Sequence, residues 1–355
     1  MYIVELINAM NQTEAPAQIN SAAAPVKKAR IAWVDIAKAI GILAVVLGHA
    51  YPHKDALYEV TYWWHMPLFF FIGGFFLKPL PHTWQAVRRF FQRKVWPLYR
   101  DYLVAGAIII TINYFTEHRT VAYSLDYFRR LLYGGTVLNG YTSAFWFVTV
   151  YLLAQIGVVA LISYVKPQWL QWLVVIALFI MGTSYDNAQQ LFGFPLPGNA
   201  DVTLMAMFYM YVGYRLFPLL KRIVASPVWL GASLLGAAGF AWAHYADKID
   251  QVVYMKSHNV TDGLFAATVP ILFVLVVIGI AYQLGETNLS HQLQWLGKQS
   301  MIIMFSHKAV FYILEKMSIT NWAILALFGV MIPITGVILY RLSRRMLQSS
   351  LNLTV

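Results

Sequence analysis

Apolar residues in this chain gather in long unbroken runs, separated by short polar stretches, rather than alternating with polar ones. About 20 apolar residues in helical form cross the hydrocarbon core of a bilayer. Ten runs near that length predict ten membrane spans, at roughly 31–51, 60–77, 97–115, 143–165, 168–185, 201–220, 227–246, 263–284, 299–315 and 321–340. The fold class this predicts is all-α, a polytopic membrane protein. Two connecting segments carry more pattern than a linker needs. In 82–96, Trp84, Val87, Phe90 and Phe91 share one helical face, with Arg88, Arg89, Arg93 and Lys94 around them. That is the signature of an amphipathic helix lying in the membrane interface. The segment 116–142 holds tyrosines, arginines and a Gly-Gly pair, and is placed to cover a site from outside. Residues 1–29 read as a disordered cytoplasmic tail, because Asn11 to Pro25 is rich in Ala, Gln, Asn and Pro. Lys27, Lys28 and Arg30 follow that stretch instead of opening it, so the first run reads as a signal anchor and not a cleaved signal. A membrane domain over 30–345 follows, then a second cytoplasmic tail at 346–355. No internal repeat or second soluble domain is visible.

Composition agrees with the runs. The 355 residues are 59% hydrophobic and 12% charged, about half the charge of an ordinary soluble domain. Charge then orients the spans. With a cytoplasmic N-terminus, 15 Lys and Arg fall in inner segments, 7 in outer ones and four within spans. This bias predicts both termini in the cytoplasm of a cell inner (cytoplasmic) membrane. The net charge of +11 is explained by topology and by anionic lipid. No basic helix with interleaved aromatics stands outside the spans, so nucleic acid is not an expected partner. There is no cysteine, which excludes disulfides, thiol catalysis and thiolate-bound metal.

Ionisable residues inside spans are costly and by default mark function. The first span contains Asp35, Lys38 and His49. Lys38 and His49 are eleven residues apart, about 20° past three full helical turns, so they share a face. Along the axis they are separated by about 16 Å. Asp35 stands three residues before Lys38 and is placed to pair with it. The blander alternative is an interfacial ion pair and a histidine that merely ends the helix. In the second span His65 lies two residues before Pro67, and Gly73 and Gly74 permit close backbone approach. Spacing alone leaves His65 equally a structural or a catalytic histidine. Trp146 starts the fourth span, where tryptophans commonly anchor the interface. Asp201 is placed to cap the sixth span, Arg215 to snorkel, and His307 lies deep in the ninth, followed by Lys308. No metalloprotease, phosphate-loop, dinucleotide or nucleophile-elbow motif occurs, so metal and serine-nucleophile chemistry have no support.

Taken together, Asp35, Lys38 and Gly48-His49, then His65-Met66-Pro67-Leu68-Phe69-Phe70, resemble the acyltransferase-3 superfamily of membrane acyltransferases, in its fucose 4-O-acetylase-like branch. Further elements follow in order. They are Arg88, Arg89 and Arg93 before Pro97; Trp146-Phe147-Val148; Asp201 through Gly213; and Leu296 to Ser300 with His307. The resemblance covers about residues 30–340. The family's pairing of a cation with a histidine eleven residues on is met with lysine in place of arginine.

The resemblance implies O-acylation, usually O-acetylation, of a cell-surface or exported carbohydrate, with cytoplasmic acetyl-CoA as donor and no permanently bound cofactor. A sugar hydroxyl needs a base, and histidine suits that task near neutral pH. His49 is the expected base, and His65 is expected to orient it or meet the acceptor. Lys38, Arg88, Arg89 and Arg93 are expected to hold the phosphates of coenzyme A, with Asp35 holding Lys38. Trp146 and His307 complete the expected binding set. No extracytoplasmic esterase-like domain follows the last span, so either this chain completes transfer or a separate extracytoplasmic transferase does. The rival class is a transporter or flippase of a polyprenol-linked sugar or small molecule, which the same buried charges would suit.

Overall fold

The computed structural model describes residues 31–186 and 188–352. The expected N-terminal tail, residues 1–29, lies outside them. Helices occupy all ten positions expected from the apolar runs. In chain order they include α1 (Ala32–Ala50), α2 (Ala56–Gly74), α3 (Trp84–Phe90) and α4 (Trp96–Thr116). Next come α5 (Val121–Tyr133), α6 (Trp146–Tyr164), α7 (Gln168–Thr183), the short α8 (Ala188–Phe192), α9 (Ala200–Ile223) and α10 (Pro227–Tyr245). The last are α11 (Gly263–Gly285), α12 (Ser290–Lys298), α13 (Ser300–Lys316) and α14 (Trp322–Asn352). Among the described residues the only strands are β1 (Val253–Tyr254) and β2 (Asn259–Val260), an antiparallel hairpin between α10 and α11.

Among the described residues, six helical runs are long and apolar enough to cross a membrane: Ala32–Ala50, Trp84–Thr116, Gly140–Tyr164, Pro197–Ile223, Gly263–Gly285 and Trp322–Arg344. α7 is apolar but shorter. α2, α10 and α13 fill expected spans without meeting both conditions. This is an all-α, multi-pass membrane protein. Its apolar exterior fits that solvent: Leu173, Ile176 and Ile180 of α7, and Leu327 and Leu339 of α14, are exposed.

The amphipathic segment is not a separate interfacial helix. α3 continues through a single π-helical stretch, Phe91–Val95, directly into α4. A π turn lets the helix change face without ending. Trp84, Phe91 and Trp96 remain exposed along this run. At the other terminus α14 runs on to Asn352, past the expected end of the last span.

α1 is the centre of the bundle. It packs against α2, α11, α12, α13 and α14, and 13 of its 19 residues are buried. Small residues make this possible. At Gly297 of α12 an added methyl would overlap the carbonyl of Asp35, so the backbones touch there. The same holds reciprocally between α2 and α9: a methyl on Gly74 would overlap the Met210 carbonyl, and one on Gly213 the Phe71 carbonyl. The close approach expected at Gly74 is therefore made, whereas Gly73 faces the Tyr151 ring.

Where two backbones are in contact, neither can move for a new methyl. Gly213→Ala is expected to cost about 1–3 kcal/mol, read as a lower melting temperature in detergent. Gly231→Ala, whose methyl meets nothing within 4 Å, is the control and should melt as the parent does.

Candidate active site

His49 sits in the last turn of α1, and α13 packs alongside it. Its Nδ1 lies 2.8 Å from Nε2 of His307, with the two rings nearly parallel at 7°. His307 is fully buried. Its other nitrogen, Nδ1, lies 2.8 Å from the carbonyl oxygen of Ile303. A carbonyl only accepts, so these partners assign the tautomers of the neutral rings. His307 Nδ1–H donates to Ile303 O. His307 Nε2 then carries the lone pair and accepts from His49 Nδ1–H. Nε2 of His49 is left as the basic nitrogen. One turn of helix backbone thereby fixes which atom of His49 can take a proton.

His65 follows the same logic on α2. Its Nδ1 donates to Thr61 O at 2.7 Å, which leaves Nε2 basic. The residue is buried, and its ring meets the Tyr62 ring edge-on at 4.7 Å between centroids. Tyr62 in turn lies 6.4 Å from the His49 ring.

These side chains share one cavity of about 260 Å³. His49, His65 and Trp146 line it, together with Tyr58, Tyr62, Tyr254, Lys54 and Lys256. Val45, Met66 and Met304 supply apolar wall. An apolar, aromatic cavity with a few converging polar groups is the usual form of a small-molecule site. The cavity lies at the ends of α1, α2 and α6 that the charge bias assigns to the outer side.

The hairpin over the cavity is held from three directions. On one side His258 Nδ1–H donates to Asp201 at 2.8 Å, and its Nε2 reaches the Gly182 carbonyl. Asp201 is thus an anchor for the hairpin rather than the helix cap expected from its position. From α2, Trp63 Nε1–H donates to Gln251 O at 2.8 Å, and Glu59 accepts from His244 at 2.7 Å and from the Tyr254 hydroxyl at 3.3 Å. From the segment 116–142 and the residue that follows it, the carbonyls of Leu138 and Ser143 accept from Lys256 Nζ at 2.8 and 2.9 Å. Burial pushes the Lys256 ammonium down to about 8, and the nearby Lys308 charge adds to the effect. It is still charged at pH 7. The Gly-Gly pair in that segment has φ of +71° and +72°, and Gly135 packs on the Asn199 side chain, which accepts from Thr136 N. A side chain at Gly135 would meet both the left-handed backbone and Asn199.

The remaining candidates lie elsewhere. Asp35 is buried and accepts from Lys38 Nζ at 3.1 Å, the pairing that their spacing suggests. This ion pair is at the opposite end of α1 from His49, about 16 Å along the axis. Arg88, Arg89 and Arg93 are exposed on the α3 run and do not touch the cavity. The structure therefore brings together His49, His65, Trp146 and His307, and leaves Asp35, Lys38 and the three arginines outside the cavity. Sequence reasoning missed Lys256, Tyr254, Tyr58 and Tyr62. The available sign at Lys256 was its setting: Val252, Val253 and Met255 are apolar residues in a loop that needs none.

Loosening the hairpin should show without disturbing the bundle. Asp201→Ala leaves His258 with a lost partner, a cost of about 1–3 kcal/mol for a buried group. Amide hydrogen exchange over 251–261 is expected to speed about tenfold or more, while exchange in α1 stays as it was.

Comparison with known proteins bears on the chemistry. A search of curated proteins and a search of solved structures each found no match. A family model described as an acyltransferase domain matches residues 31–341, which takes in both the cavity and the inner ion pair. The chain is a membrane acyltransferase and belongs to the acyltransferase-3 family.

Proposed function

We propose that this protein is an O-acetyltransferase of the cell inner membrane, moving an acetyl group from cytoplasmic acetyl-CoA to a hydroxyl of a cell-surface or exported carbohydrate. The observation that carries the reading is the His49–His307 pair at the wall of the outer cavity. In the proposed step, His49 Nε2 takes the proton of the acceptor hydroxyl as its oxygen attacks the thioester carbonyl carbon. The new C–O bond forms, the C–S bond breaks, and the departing thiolate recovers the proton from His49. Through the step His49 Nδ1–H keeps donating to His307, so the ring does not turn when its charge changes. This is the general-base arrangement in which a third group orients the base, with an imidazole held by Ile303 O in the orienting position.

The donor is proposed to enter at the other end of α1. Lys38, steadied by Asp35, offers a cation there, and Arg88, Arg89 and Arg93 offer exposed guanidinium groups suited to phosphate. The distance from Lys38 to His49, about 16 Å along the helix, is a span that the long thiol arm of coenzyme A is suited to cover. His65 and Trp146 are proposed to meet the acceptor, since both line the cavity beside His49. The aromatic walls favour a ring-shaped acceptor such as a sugar.

Membranes carrying the protein, given labelled acetyl-CoA and a panel of glycans, test the reading. Transfer of label to glycan hydroxyls is expected. His49→Ala should reduce it by about 10²–10⁴-fold, the usual contribution of a general base. Normal transfer by that variant at normal expression would remove the proposed base. Lys38→Ala should raise the KM for acetyl-CoA more than it lowers kcat, and an unchanged donor affinity would end the donor assignment.

A further inference from the structure

The cavity wall has a charge imbalance that proton transfer does not use. Its lining includes two lysines, Lys54 and Lys256, and two histidines, but no carboxylate. Lys308 lies half-buried close behind, near enough for its charge to act on Lys256 and on His49. Among the described residues none of these three lysines enters an ion pair. Glu315 acts on Lys308 from along α13, and the carboxylates nearest the cavity are committed elsewhere. Glu59 accepts from His244 and Tyr254, Asp55 from the Tyr51 hydroxyl and from Tyr58 N, and Asp201 from His258. Lys256 is held in place by two neutral carbonyls, Leu138 O and Ser143 O. These satisfy two of its three N–H groups and none of its charge. Lys256 is half-buried, fixed by these two bonds on a hairpin that Asp201 and α2 also hold, and that arrangement keeps a cation beside the base.

We propose that the acceptor taken by this cavity carries an anionic group, a carboxylate or a phosphate, close to the hydroxyl that is acylated, and that Lys256 binds that group. This rests on the acyltransferase reading above and narrows its acceptor class from carbohydrates in general to acidic ones. Lys256 lies on the hairpin side of the cavity, away from the inner end of α1 where the donor phosphates are assigned. The cation therefore serves the acceptor and not the thioester. Lys54, exposed in the turn between α1 and α2, adds attraction at the cavity mouth. A neutral sugar would leave the lysines uncompensated, which is costly in a confined site. An acidic sugar supplies the missing charge and accepts a charge-assisted hydrogen bond.

The test uses the purified full chain in nanodiscs and three probes of similar length: a galacturonate trisaccharide, a glycerol phosphate trimer and the neutral maltotriose. Binding is measured at physiological salt. One of the two anionic probes is expected to bind at least about tenfold tighter than maltotriose, and which one does so separates carboxylate from phosphate. Lys256→Gln should erase the preference and Lys256→Arg should keep it. If Lys256→Gln fails to fold, Lys54→Gln must still weaken the anionic probe severalfold. Equal binding of maltotriose, no binding of either anion, or an undiminished preference in a folded Lys256→Gln would overturn the proposal. Acetyl transfer to neutral glycans with no anion preference overturns it while leaving the acyltransferase reading intact. Anion binding without any acetyl transfer does the reverse.

Discussion

The contact between α1 and α13 sets the rest of this structure. It joins two imidazoles through one hydrogen bond, and the backbone carbonyl of Ile303 determines the direction of that bond. A lone histidine at a helix end has two usable nitrogens and a ring free to turn. Here the chain His49 to His307 to Ile303 O leaves a single basic atom, Nε2 of His49. The helices must lie close enough for a 2.8 Å bond between rings. That closeness depends in turn on Gly297, which lets α12 touch the α1 backbone at Asp35 just before α13 begins. A small residue near one face of the membrane thus helps fix the geometry of a base near the other.

The same helix carries the two halves of the proposed reaction at its two ends. Asp35 and Lys38 form an ion pair near the start of α1, and His49 lines the cavity near its finish. Between them lie apolar residues such as Ile42, Val45 and Val46, all deeply buried. A helix packed by five others is a good ruler. It fixes the separation of donor and acceptor functions, whereas a pair of loops would let that separation drift. The hairpin 251–261 supplies what the ruler cannot, a wall of opposite origin that closes over the base.

Much of this was legible in the chain. The apolar runs located every long helix because the rise of a helix and the thickness of a bilayer fix their length. The cation and histidine on α1 were legible because periodicity within one helix is local. His65 and Trp146 also reached the cavity, yet the spacing could not tell a structural from a functional histidine. Lys256 was not legible. It stands 207 positions after His49 (256 − 49), and it is brought near only by long-range anchors at Asp201, Glu59 and Leu138. A charge count treats it as an outer lysine like any other. The π turn after α3 was equally hidden, since an amphipathic pattern gives no sign of whether its helix stops or continues.

Two of the helices that build the site are poorly recognisable as membrane spans. Among the described residues, α2 and α13 fill expected spans but fail the test of length and apolarity that six runs pass, α1 and α6 among them. The polar residues on α2 include Glu59, which anchors the hairpin, Tyr58 and Tyr62, which line the cavity, and His65. On α13 they include His307 and Lys308, beside Ser300, Ser306, Tyr312, Glu315 and Lys316. Each such residue would be expensive facing lipid. His65 and His307 become tolerable by facing inward, where both are buried, and with them inward the two helices sit against α1 instead of at the periphery. Polar content therefore does two things at once: it lowers the membrane character of these helices, and it drives them to the centre where the base is. Hydropathy alone finds α1 and α6 and overlooks α2 and α13, so the site emerges only when the ionisable residues inside helices are read beside the apolar runs.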